Sequence, residues 1–209
     1  MRYLVVNAPL VWRLTLEHLQ LSAASCLLAL ITACPLGVVV TRVRWLAAPV
    51  LSAAGILYTV PSVALFALLI PVLGLGLKPT VLALVLYSQL VLIRNTAVGI
   101  TEVDPALLQA AQGMGMTNAQ RFWRVEVPLA IPVIFAGVRT ATVMAIGLAS
   151  IAAYIGAGGL GVLIFQGIST GNTDQVLTGA VAVSLLALVA DGILAYAQRL
   201  MRRTIGVRA

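Results

Sequence analysis

Charge is what this sequence has least of. Asp, Glu, Lys and Arg make up only 9% of its 209 residues, against roughly 25% in a typical soluble domain. A chain with so little charge cannot clothe a globule in water. Its 61% hydrophobic content equally excludes a disordered polymer. Histidine occurs once, at His18, and lysine once, at Lys78. One histidine leaves no His-based metal site and no Ser-His-Asp triad except through His18 itself. No H-E-x-x-H and no Cys/His cluster is present. Lys78 lies in Gly74-Leu75-Gly76-Leu77-Lys78, which lacks the G-K-[ST] of a phosphate-binding loop. The chain is therefore expected to be no enzyme and to hold no metal and no cofactor; if nucleotide energy is used, another chain hydrolyses it. Cys26 and Cys34, the two cysteines, would stand about 12 Å apart on one helix, too far for a disulfide.

What is abundant is apolar length. Mean hydropathy is +1.08, and five stretches reach the roughly 20 residues a bilayer requires: about 21–40, 46–73, 80–100, 131–153 and 176–197. The second is long for one crossing and contains Pro61, where a kink is expected. Residues 1–19, interrupted by Arg13, Glu17 and His18, read as an amphipathic surface helix rather than a cleavable signal peptide. The fold class is thus an all-α membrane protein, a single transmembrane domain over residues 1–209. The net charge of +7 then reflects loop arginines rather than nucleic-acid binding. With the C-terminus inside, Arg42, Arg44, Arg94, Arg121, Arg124, Arg139, Arg199, Arg202, Arg203 and Arg208 fall on the cytoplasmic side. Arg2, Arg13 and Lys78 fall outside. That bias predicts the N-terminus out and the C-terminus in.

The connection over residues 102–129 is the least membrane-like segment. Asp104-Pro105 supplies an N-cap and a first-turn proline, Gly115 a helix stop, and Thr117 with Gln120 a capping box. A cytoplasmic helix-turn-helix is predicted, ending at Pro128. Two capped helices are more than a solvated connector requires, which points to a docking element.

Within the spans, ionisable and polar residues are costly and stand out. Asp191 is the clearest, with a helix-packing ion pair to Arg139 or Arg94 as its expected structural role. Tyr58, Pro61, Ser88, Gln89 and Asn95 are the pathway candidates, although interhelical hydrogen bonding explains the polar ones about as well. The run Gly156-Ala157-Gly158-Gly159-Leu160-Gly161 permits a tight or re-entrant backbone at the outer face. Gly137, Ala141, Gly147 and Ala149 on the fourth span allow close helix approach, in a tight bundle or an oligomer.

Gln109-Ala110-Ala111, Gly115, and Val125-Glu126-Val127-Pro128 resemble the E-A-A-x3-G-x9-I-x-L-P loop of bacterial ABC-importer permeases, with Gln109 in place of the usual Glu. Tyr58-Thr59-Val60-Pro61-Ser62, Arg94-Asn95-Thr96, Val103-Asp104-Pro105-Ala106-Leu107 and the glycine run are similar to the branch that imports glycine betaine, choline, carnitine and related quaternary amines. The resemblance implies a multi-pass subunit of the bacterial inner membrane. Gln109, Ala110, Ala111, Gly115, Met116, Thr117 and Pro128 would couple it to a cytoplasmic ATPase dimer. It further implies a second permease subunit, identical or related, and a separate extracytoplasmic substrate-binding protein. A permease for another small zwitterion or amino-acid-like solute, and an ATP-independent channel or secondary transporter, are the alternatives.

Overall fold

The computed structural model describes residues 2–205, among which every regular element is helical; Arg208 of the basic tail lies outside them. A short α1 (Arg2–Val6) precedes α2 (Ala8–Arg42). The amphipathic segment expected as a separate surface helix is continuous with the first span, as the N-terminal end of α2. The charges do not break the helix, since Arg and Glu are good helix formers, and Arg13 and Glu17 pair at i,i+4. Val11, Leu14 and His18 turn inward.

The second span is broken in two, α3 (Arg44–Thr59) and α4 (Ser62–Leu73), bent by 99°. Neither half alone reaches the roughly 20 residues of a crossing; together they do. Pro61 causes the break: it forces Val60 out of the helical region, to φ −63° and ψ 129°. The Tyr87 hydroxyl donates to the Val60 carbonyl thus freed, and its ring meets Tyr58 edge-on with centroids 6.4 Å apart.

α5 (Leu77–Thr101), α8 (Val127–Ala152) and α10 (Thr173–Ile205) supply the remaining long apolar helices. α2, α5 and α8 form the heart of the bundle, and small residues let them approach closely. Ala29, Ala33, Ala83, Ala130, Ala141 and Ala149 are fully buried. A Cβ on Gly137 would lie 2.6 Å from that of Asn95, and one on Gly37 would lie 2.5 Å from that of Thr96. Gly147 departs from this pattern: it is exposed and has open space where its Cβ would stand. Cys26 and Cys34 are free thiols, facing Thr142 and Thr96.

Beyond α8, Gly156, Gly158 and Gly159 adopt positive φ and lead into a helix not expected from the sequence, α9 (Gly161–Ser169). The turn is pinned to α2. The Gly159 N–H donates to Glu17 at 3.3 Å and the Leu160 N–H to His18 Nδ1 at 3.2 Å. Because Nδ1 accepts, Nε2 carries the ring hydrogen and donates it to the Ile146 carbonyl at 2.9 Å. The sole histidine is a fully buried clasp joining α2, α8 and the glycine turn.

Candidate functional site: the capped helical loop and the membrane cavity

Between α5 and α8 the chain forms α6 (Pro105–Gly113) and α7 (Asn118–Arg121). Asp104 Oδ1 accepts from the Ala106 N–H at 2.8 Å, satisfying one of the free amides at the start of α6. At its end the Met116 N–H reaches back to Ala111 O at 3.2 Å and the Gly115 N–H to Gln112 O at 2.9 Å. Gly115 stands at φ +76°. Those two bonds and that left-handed residue constitute a Schellman stop, which a β-branched side chain at 115 would strain. Thr117 and Gln120 exchange hydrogen bonds at 2.9 and 3.2 Å, closing a capping box.

Gln109, Ala110 and Thr117 are exposed, Met116 is half-buried, and Ala111 is buried. Leu107, Met114 and Trp123 also expose their apolar side chains. An outward apolar set on a doubly capped helix pair is a surface shaped for a partner rather than for water.

Beyond α7 a π-turn, Phe122–Glu126, runs into α8, with Pro128 in the first turn of that helix. The π-turn rotates Glu126 inward to 2% exposure. Its carboxylate accepts from Arg121 Nε at 3.0 Å and from Arg42 at the end of α2. The Arg42 guanidinium also lies 5.3 Å from the Phe122 ring centroid. Glu126 therefore clamps the loop to α2, a span it does not flank in sequence. The sequence offers one signal for it: an acid at a membrane edge crowded with arginines.

The intramembrane candidates separate into two groups. Ser88 and Gln89 are buried. Ser88 donates to Leu84 O at 2.8 Å, and Gln89 to Thr32 on α2 at 2.9 Å. Asn95 donates to Val91 O at 2.8 Å and packs on Gly137. These three lie in the packing between helices. Tyr58 and the adjacent Pro61 are exposed. Tyr58 lines a cavity of about 600 Å³ together with Ala136, Arg139, Thr140, Val143, Met144 and Asp191. There Arg139 and Asp191 form a two-pronged ion pair between α8 and α10, with Nη2 to Oδ2 at 2.8 Å. Arg94 is exposed on α5, and the partner of Asp191 is Arg139.

Comparison with known proteins places this geometry. The family described as "binding-protein-dependent transport system inner membrane component" matches residues 26–203. The osmoprotectant import permease protein OsmW of Salmonella typhimurium is 48% identical over 197 residues, 92% of either chain. The glycine betaine/carnitine/choline transport system permease protein OpuCB of Bacillus subtilis is 42% identical over 199 residues, 95% of this chain and 92% of the relative. Among solved structures, a chain of the MetNI methionine ABC transporter in inward-facing conformations superposes with a TM-score of 0.82 at 23% identity, covering 91% of this chain and 95% of that one. With its broken second span, its capped helix pair and a family match across 26–203, the chain belongs to the inner-membrane components of binding-protein-dependent transport systems.

Proposed function

We propose that this chain is the permease subunit of an ATP-driven importer of quaternary-amine osmoprotectants, glycine betaine, choline or carnitine among them. One observation carries the substrate class: relatives alike over about nine-tenths of the chain are named for that transport. The chain lies in the bacterial inner membrane with its N-terminus outside and its C-terminus in the cytoplasm. It pairs with a second permease subunit, receives substrate from a separate binding protein, and rests on a cytoplasmic ATPase dimer that binds ATP and Mg.

In this reading Gln109, Ala110, Ala111, Gly115, Met116 and Thr117 form the coupling element. Its caps support the assignment, because a helix pair with its ends hydrogen-bonded moves as a unit. Displacement of that unit enters α5 and α8 directly, and enters α2 through Glu126 and Arg42. Substrate moves along the cavity that α3, α8 and α10 line, beside the break in the second span that Tyr58 and Pro61 border.

The test is uptake of radiolabelled glycine betaine, choline and carnitine into vesicles holding the complex, its ATPase and its binding protein. ATP-dependent uptake of at least one is expected. An ATPase that associates while none of the three is taken up would contradict the substrate class and favour another small zwitterion or amino-acid-like solute. Failure of any ATPase to associate would contradict the importer itself.

A further inference from the structure

The ion pair between Arg139 and Asp191 stands in an unusual place. Asp191 is about 15 Å along α10 from Met201, at 1.5 Å per residue, within a candidate span that covers Thr173–Met201. Arg139 is about 18 Å along α8 from Val127, within the span Asn118–Ile155. Both lie several turns inside the ends of long apolar helices, yet their side chains remain 37% and 34% exposed. Charges so placed cannot face hydrocarbon; they face water or protein. The backbone points the same way. The break at Val60-Pro61 leaves non-helical chain within the second span, which is tolerated where it borders a wet cavity or is buried in protein. Tyr58, one turn before that break, shares the same cavity of about 600 Å³ with both charges. The rest of the lining is small or uncharged: Ala136, Thr140, Val143 and Met144.

A cavity that offers one cation, one anion and one aromatic face is complementary to a compact molecule carrying both charges. We propose that Arg139, Asp191 and Tyr58 form a seat inside the membrane for a zwitterion with a carboxylate and a quaternary ammonium. The guanidinium takes the carboxylate in a two-pronged hydrogen bond. The Asp191 carboxylate and the Tyr58 ring take the ammonium. With the seat empty, the two protein charges satisfy each other, so neither is left unpaired between cycles. This inference rests on the importer reading above and assigns to the permease a discrimination between zwitterions and simple cations.

The test compares glycine betaine with choline, which keeps the ammonium and lacks the carboxylate, in vesicles holding the complete complex. Arg139→Gln is expected to reduce betaine uptake at least tenfold relative to choline uptake, and Asp191→Asn to reduce both. Equal loss of both substrates in Arg139→Gln, or loss of neither, would overturn the seat. If those variants do not assemble, the doubly apolar R139M/D191L preserves side-chain bulk without leaving an unpaired charge. An assembled R139M/D191L complex that still imports betaine at the unsubstituted rate overturns the proposal; one that hydrolyses ATP but no longer imports betaine supports it. Should the unsubstituted complex import neither substrate, the osmoprotectant reading fails and the seat falls with it. Import of both, with variants that lower them in parallel, removes the seat alone.

Discussion

Gly161 has no room for a side chain: a Cβ there would stand 1.9 Å from the Ser150 carbonyl oxygen. Backbone cannot yield as a side-chain tip can, so Gly161→Ala must push α9 off α8. Overpacking of this kind costs about 1–3 kcal/mol, and more where backbone must shift. Gly147→Ala is the matched control, since nothing lies within 4 Å of its added carbon. Thermal unfolding in detergent is expected to show Gly161→Ala markedly destabilised and Gly147→Ala unchanged or slightly raised; equal midpoints would refute the packing argument. The glycine run was legible in the sequence as a place for a tight turn. That Gly161 is sterically obligatory was not, because its neighbour is fixed by the meeting of α8 and α9. His18 is a similar case. Its partners Ile146 and Leu160 lie 128 and 142 residues away, and no local pattern reports them.

At the scale of elements, what the sequence reveals follows the reach of the interactions involved. The caps of α6 and α7 depend on residues two to five apart, and Asp104, Gly115, Thr117 and Gln120 announce them. The apolar spans are legible because composition alone decides them. Glu126 is the opposite case: its bond to Arg42 crosses 84 residues and depends on a π-turn that shifts its register inward. Removing the charge with Glu126→Gln frees two guanidinium groups and loosens the loop from α2. Arg42 is half-exposed, with 45% of its side chain accessible, so solvent screens part of the loss. The expected cost is about 2 kcal/mol rather than the larger penalty of a fully buried pair. The functional expectation is sharper: ATP hydrolysis persists while transport per ATP falls. A Glu126→Gln complex with unchanged stability and an unchanged transport-to-hydrolysis ratio would show that the link to α2 carries no motion.

Across the whole molecule, two sites lie at different depths, a capped helix pair and a charged cavity beside the broken second span. α8 connects them physically, since it begins next to Glu126 and carries Arg139 twelve residues after Val127. The central claim is that residues 105–127 convert ATP-driven motion into import. Gly115 tests it most directly, because its left-handed backbone holds the stop of α6 and is exposed, with nothing within 4 Å of an added Cβ. A substitution there alters backbone conformation without a packing clash. Asn tolerates that conformation and Val does not. The decisive measurement is substrate uptake alongside ATP hydrolysis in vesicles containing the complete complex with Gly115, Gly115→Asn or Gly115→Val. The account predicts that Gly115→Asn retains uptake, whereas Gly115→Val binds the ATPase but loses most of its uptake and its substrate-stimulated hydrolysis. Full, substrate-stimulated uptake by Gly115→Val would contradict it.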